Sequence, residues 1–215
     1  MKVYDCTLYY DEDLILDLRL NILSKYIDKF IICESKYTHS GREKKLNFDI
    51  NKFSKFKDKI IYVISDTEPD GLVFDKSSND KKELPESYRH NAIRRIAHQR
   101  NKLVDGLKNV DDNDFILYSD NDEIPNLDNF DFINFRKKFV LFEQKLFYYK
   151  FNLFLDRINW YGTKGCKKKD LINPQWLRNI KDRKYPFYRL DTLFSKTKYM
   201  DIKCIEKGGW HFSNI

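Results

Sequence analysis

Short apolar runs recur along the first half of the chain, and stretches with helical spacing separate them. Residues 2–9 read as a first strand. Leu14, Leu18 and Ile22, with Ile15 widening the stripe, predict a helix over 13–26, capped by Asp11 or Asp13. Phe30-Ile31-Ile32-Cys33, ending at Glu34-Ser35, and Ile60-Ile61-Tyr62-Val63-Ile64, ending at Ser65-Asp66, read as buried strands. The polar stretch 66–85 contains Pro69-Asp70-Gly71 and reads as a mobile surface loop, a flexible flap beside the site. Ala92, Ile96, Leu103 and Leu107 make one apolar stripe on a helix over 86–107, and Gly106 weakens its last turn. Phe115-Ile116-Leu117-Tyr118 is a further buried strand. A short helix is expected over 126–138 and one long strand or a hairpin over 140–155; beyond Arg157 the pattern is less regular. Strands alternating with helices predict an α/β fold with a mostly parallel central sheet flanked by helices.

Three carboxylates crowd the end of that last buried strand, in Ser119-Asp120-Asn121-Asp122-Glu123-Ile124-Pro125. In an open α/β sheet, ligands bind outside the carboxyl ends of the strands. Hard oxygen ligands there suit magnesium or manganese, and such a cation holds a diphosphate. Asp120 and Asp122 are two apart, which on a strand puts both on one face. The plainer alternative is an acidic turn stopped by Pro125. An EF-hand is disfavoured, because Pro125 stands at the sixth loop position where that motif needs glycine. On the preceding helix, Arg100 offers a forked donor for phosphate or a uracil edge, while Arg94, Arg95 and Lys102 read as solvated. His211 follows Gly208-Gly209, whose backbone allows close approach of a ligand. It reads either as a metal ligand or as an ordinary histidine of core or surface.

Composition narrows the classes. The chain has 215 residues, 41% hydrophobic and 16% aromatic, so it should fold as one domain over 1–215 with a real core. Its net charge of +7 favours anionic partners: a nucleotide-sugar diphosphate, nucleic acid or an anionic membrane surface. Cys6, Cys33, Cys166 and Cys204 have no CxxC spacing, which argues against zinc and fits a reducing compartment, with a disulfide left open. The opening residues show no signal peptide. No apolar run approaches the ~20 residues of a membrane span. A soluble, cytoplasmic protein is therefore expected.

The order of blocks then resembles a known family. Tyr4-Asp5-Cys6, Glu34-Ser35, Ser40-Gly41-Arg42, Gln99-Arg100-Asn101, the Asp120–Pro125 block and Gly209-Trp210-His211-Phe212-Ser213 follow one another as in glycosyltransferase family 17. That resemblance implies a GT-A-type Rossmann-like domain and a metal-dependent inverting transferase. The donor it implies is UDP-GlcNAc, the acceptor a glycan hydroxyl, and the cofactor Mn2+ or Mg2+. It implies donor contacts from Thr7, Glu34, Arg100 and Asp120, and metal contacts from Asp120, Asp122 and His211. Family members often continue well past Ser213, whereas this chain stops two residues later, so it reads as a compact or C-terminally shortened form. The animal members' membrane anchor has no counterpart here. Asp191 and Glu206 are the candidate general bases, as carboxylates from the later part of the chain. Two competing readings are metal-dependent phosphoryl transfer or hydrolysis at the same carboxylates, and a basic nucleic-acid-binding module. No P-loop pattern supports the first, and no recognition motif the second.

Overall fold

The computed structural model describes residues 1–74, 83–183, 185, 186, 188–192 and 194–214. Residues 75–82 of the expected flap lie outside them. The first strand, β1 (Val3–Tyr9), leads into α1 (Asp13–Leu23) and then β2 (Lys29–Ser35). A 3-10 segment, Ile50–Lys59, precedes β3 (Ile60–Ser65). Helix α2 (Glu83–Lys102) continues as a 3-10 turn, Leu103–Leu107, before β4 (Phe115–Tyr118) and the short β5 (Glu123–Pro125). A long hairpin follows, β6 (Phe139–Tyr148) and β7 (Phe154–Lys167), then α3 (Pro174–Asn179), β8 (Ile202–Ile205) and β9 (Gly209–Ser213).

These strands form one nine-stranded sheet in the order β3-β2-β1-β4-β7-β6-β9-β5, with β8 also on β6. The run β3-β2-β1-β4 is parallel. Beyond it, β7 is antiparallel to β4 and to β6, and β5 is antiparallel to β9. The first half of β6 pairs with β8 and the second half with β9, both parallel. The sheet is mixed and strongly curled into a half-barrel. The expected helix-flanked, mostly parallel GT-A-type Rossmann-like sheet is therefore incorrect. The described residues hold only three α-helices, one of them six residues long. Residues 149–153, between β6 and β7, are too few for a crossover and force an antiparallel return.

Alternation along the strands builds a core on each side of the sheet. Phe115 and Leu117 join Leu16, Leu20, Leu23 and Phe142 on one side. Ile116 and Tyr118 join Leu103, Leu107, Leu141 and Leu177 on the other. Burial on both faces explains the unbroken apolar run of β4. The expected helix over 126–138 is instead a set of turns. Its Phe130, Phe132 and Phe135 pack edge-on or tilted around Phe115 and one another.

The two long helices present unexpected faces. In α1 the buried line is Ile15, Leu16, Arg19, Leu20 and Leu23, while Leu14 is exposed. The N-cap residue is Glu12, with no side-chain cap. In α2 the buried residues, among those described, are polar: Asn91, Arg95 and Gln99, one turn apart. Asn91 hydrogen-bonds both backbone groups of Val73, Arg95 pairs with Glu68 at 2.5 Å, and Gln99 donates to the Cys33 carbonyl. This helix grips loops with its inner face as well as packing on the sheet. None of the four cysteines is in a disulfide.

Candidate active site

The carboxyl ends of β1, β2 and β4 open onto a cavity of about 820 Å3. Leu8 and Tyr9 reach it from β1 and Tyr10 from just beyond, Ser35 from β2, Gln99 and Arg100 from α2, and Asp120, Asn121 and Asp122 from the turn after β4. The volume falls in the usual range for small-molecule sites.

That turn is held from beneath by Arg19, which is wholly buried. Its guanidinium makes a two-pronged pair with Asp5, at 2.7 and 2.6 Å. It also donates to the Ser119 hydroxyl and to the carbonyls of Asp120, Asn121 and Glu123. Burial opposes the charge of Arg19, but Asp5 outweighs it and raises its pKa. The loop's backbone is thereby fixed by a residue a hundred positions earlier.

The loop's side chains then divide into two classes. Asp120 accepts from Arg100 at 3.0 and 2.9 Å and from the Tyr118 hydroxyl at 2.8 Å, and its carboxylate lies 3.3 Å from Arg178. Burial works against its ionisation, but Arg178 and Arg100 prevail and hold its pKa below the ordinary range. Glu123 is almost fully buried and takes both prongs of Arg178, at 2.7 and 2.8 Å. Trp160 Nε1 donates to it at 2.7 Å and the Asp120 amide at 2.9 Å. Burial and the charge of Asp120 raise the Glu123 pKa, against the pull of Arg178.

Asp122 differs. Its carboxylate is about a third exposed, and the imidazole of His211 lies beside it, with Nε2 3.1 Å away. The imidazole stacks on Trp160 with ring centroids 4.6 Å apart, and its Nδ1 is buried without a partner. The Asn121 side-chain amide is likewise buried with neither polar atom paired. Gly209 lets β9 reach this position: its φ is +133°, and a Cβ there would sit 2.2 Å from the Ile124 carbonyl.

No group of three His, Cys, Asp or Glu side chains among the described residues converges as a complete metal cage. Asp122 with His211 fits a different arrangement. One carboxylate suffices for Mg2+ when water and substrate phosphates supply the remaining ligands, and the neighbouring imidazole adds a nitrogen that suits Mn2+ better than Mg2+. Asp120, surrounded by two arginines, is less available to a cation than the sequence spacing implies.

The other expected site residues are dispersed. Thr7 is buried within β1. Glu34 is buried too, and accepts from Lys44, the Tyr62 hydroxyl and the amides of Asn47 and Phe48. Neither lines the cavity, and nor do Asp191 and Glu206. Asp191 pairs with Arg189 at 2.7 Å and Lys198 at 3.1 Å, contacts that hold its pKa well below the carboxylate range. Glu206 is exposed, between β8 and β9.

Sequence reasoning missed Arg178, Arg19, Trp160 and Glu12. Arg178 sits on α3, whose N-terminus the sequence does announce: Asn173 caps it, accepting from the Trp176 amide, and Pro174 begins it. Lys164 holds the other end by donating to the carbonyls of Arg178, at 2.8 Å, and Ile180. Burial, aided by the charge of Arg178, pushes the pKa of Lys164 down to about 8. Glu12 lines the cavity and accepts from the amides of Tyr10 and Asp11.

No curated protein matches the chain in sequence. A family model does, over residues 1–172, a span that takes in Arg100 and the whole loop from Ser119 to Glu123 but stops short of Arg178 and His211. With most of its length covered, the chain belongs to glycosyltransferase family 17 and is a glycosyltransferase.

Proposed function

We propose that the chain catalyses an inverting, single-displacement transfer from a UDP-sugar to a glycan hydroxyl. The family's donor, UDP-GlcNAc, would supply the sugar, and Asp122 with His211 would hold Mn2+ or Mg2+. The observation that carries this reading is the division of charge on one loop. Asp120 and Glu123 are neutralised by Arg100 and Arg178, while Asp122, itself in the cavity wall, has no arginine and stands beside the His211 imidazole, which lies just behind that wall.

When bound, the cation supplies positive charge for the departing diphosphate. Arg100 is fixed by Asp120 and by Gln175 at 3.0 Å, and brings a permanent positive charge to the cavity wall where the donor diphosphate would sit. Glu34 acts from behind the wall by holding Lys44 and the amides of Asn47 and Phe48, while Thr7, buried in β1, makes no contact with the cavity. The general base is assigned to Glu12. Among the carboxylates of the wall, Asp120 is bound by arginine and Asp122 is given to the cation, which leaves Glu12. Asp191 and Glu206, away from the wall, lose that role. Glu12 takes the proton of the acceptor hydroxyl as that oxygen attacks the anomeric carbon; the bond to UDP breaks, and UDP leaves with its electron pair.

The test is turnover of UDP-GlcNAc and other nucleotide sugars with a panel of glycan acceptors, with and without manganese. UDP and a glycosylated product are expected, and Asp122→Asn should lower metal-dependent turnover on the order of a hundredfold. UDP with free sugar, or UMP with a sugar 1-phosphate, in place of a glycosylated product would make the reaction hydrolysis. Full metal-dependent turnover in Asp122→Asn would overturn the metal assignment.

A further inference from the structure

The far end of the β6–β7 hairpin is apolar and uncovered. Tyr149, Phe151, Leu153, Phe154, Leu155 and Ile158 are between 39% and 61% exposed. A strand with one face on a core alternates buried and exposed positions. Residues 154–159 of β7 do not alternate: all six are exposed, so neither face of this arm is covered. An apolar surface of this kind marks an interaction site.

Two further features say what it meets. The first is charge. Between residues 145 and 159 the cations are Lys145, Lys150 and Arg157, all exposed, against one acid, Asp156, and the whole chain carries +7. Lys145 Nζ lies over the Phe154 ring, 5.7 Å from its centroid. The second is continuity with the cavity. Phe147 touches Phe154 and Phe212, both at 5.6 Å between centroids, and Phe151 touches Phe212 at 5.1 Å. Phe212 itself lines the cavity.

We propose that this arm docks on an anionic lipid bilayer, with the phenylalanines and leucines entering the interface and the three cations on lipid phosphates. Aromatic and aliphatic side chains flanked by lysine and arginine are the composition of interfacial anchors. A second copy paired on the same patch would oppose like charges. A free glycan would gain no hydrogen bonds from phenylalanine, leucine and isoleucine. Docking in this way puts the cavity beside the membrane surface, where an acceptor carried on lipid would be presented to it.

The experiment is co-sedimentation of the full chain with phosphatidylcholine vesicles, with and without phosphatidylglycerol. Binding to the anionic vesicles is expected, weakening as salt is raised. Phe151→Asp and Leu153→Asp should each lower partitioning by about tenfold or more. Lys150→Glu should lower it about fivefold on anionic vesicles. Leu14→Asp alters an apolar residue elsewhere that is more exposed still, and should bind as the unaltered chain does. Thermal melts of each variant separate lost docking from lost folding, since these side chains are exposed and their replacement should leave the midpoint in place. Absence of binding to either vesicle would overturn the proposal. So would equal loss in Leu14→Asp, or a dimer in size-exclusion chromatography that Phe151→Asp dissolves.

Discussion

Arg178→Met removes one cation and keeps most of the side chain's length. The guanidinium it deletes makes two hydrogen bonds to Glu123, one of 2.8 Å to the Gly162 carbonyl and an ion pair with Asp120. Glu123 would remain 1% exposed with only Trp160 and one backbone amide as donors. Removing one partner of a buried ion pair costs about 3–5 kcal/mol. Asp120 adds less, because it keeps Arg100 and is partly solvated. In a chain of this length each kcal/mol moves the melting midpoint by about 2–4 °C, so a fall of roughly 6–20 °C is expected.

The deficit also has a pH signature with a definite sign. Burial and Asp120 already raise the Glu123 pKa, and Arg178 is what opposes them. Without Arg178 the folded-state pKa rises further above that of the unfolded chain, about 4.3. Such a group leaves stability intact below the unfolded value and removes it as pH rises through the interval up to the folded value. The gap between the unaltered chain and Arg178→Met should therefore be smaller at about pH 5 than at about pH 7.5, by about 1.4 kcal/mol for each added pKa unit within that window. Denaturant unfolding at both pH values measures it. A midpoint within about 2 °C of the unaltered chain, or a gap unchanged between the two pH values, would refute the account of Arg178 as the counter-charge of Glu123.

Two more outcomes follow from the same site. Glu12→Gln keeps an oxygen for the amides of Tyr10 and Asp11 but cannot take a proton; kcat should drop about a hundredfold or more with little change in KM, and near-normal kcat would return the base to another carboxylate. In Gly162→Ala the new methyl would meet Gln144 Oε1 at 2.2 Å and Glu123 Cδ at 2.5 Å, so denaturant unfolding should show a loss of about 1–3 kcal/mol together with reduced turnover, and an unperturbed variant would mean that Glu123 is free to move.

Local apolar pattern located the elements of the first half well, because each buried strand there is a short run of large apolar residues between polar ends. Residues 2–9 form Val3–Tyr9, and Phe115-Ile116-Leu117-Tyr118 is the whole of β4. The pattern said less about which side faced inward. The stripe through Leu14 misses the inner face of α1, since a charged residue, Arg19, occupies its centre, and a hydrophobicity count places arginine outside. The same holds for Asn91, Arg95 and Gln99 on α2. Nor could alternation of strand and helix foresee the mixed sheet, because the later strands meet by a short return and by long-range pairing. Phe139 pairs with both Cys166 and Ile202, partners that no local window contains.

The candidate site was legible to the same extent and for the same reason. The acidic cluster and His211 could be picked out as residue types, and the fold does bring Asp122 and His211 together across 89 positions. What spacing could not reveal is which acid is free. Asp120 and Asp122 look equivalent in sequence, and differ only once Arg100 and Arg178 arrive from two other elements and take one of them. Arg19 fixes the turn through three backbone carbonyls and the Ser119 hydroxyl, so its effect does not depend on the carboxylates the turn carries. It sets the direction of the loop, while the cavity arginines decide its charge. The chemistry proposed for Asp122 is thus a property of three arginines as much as of the aspartate.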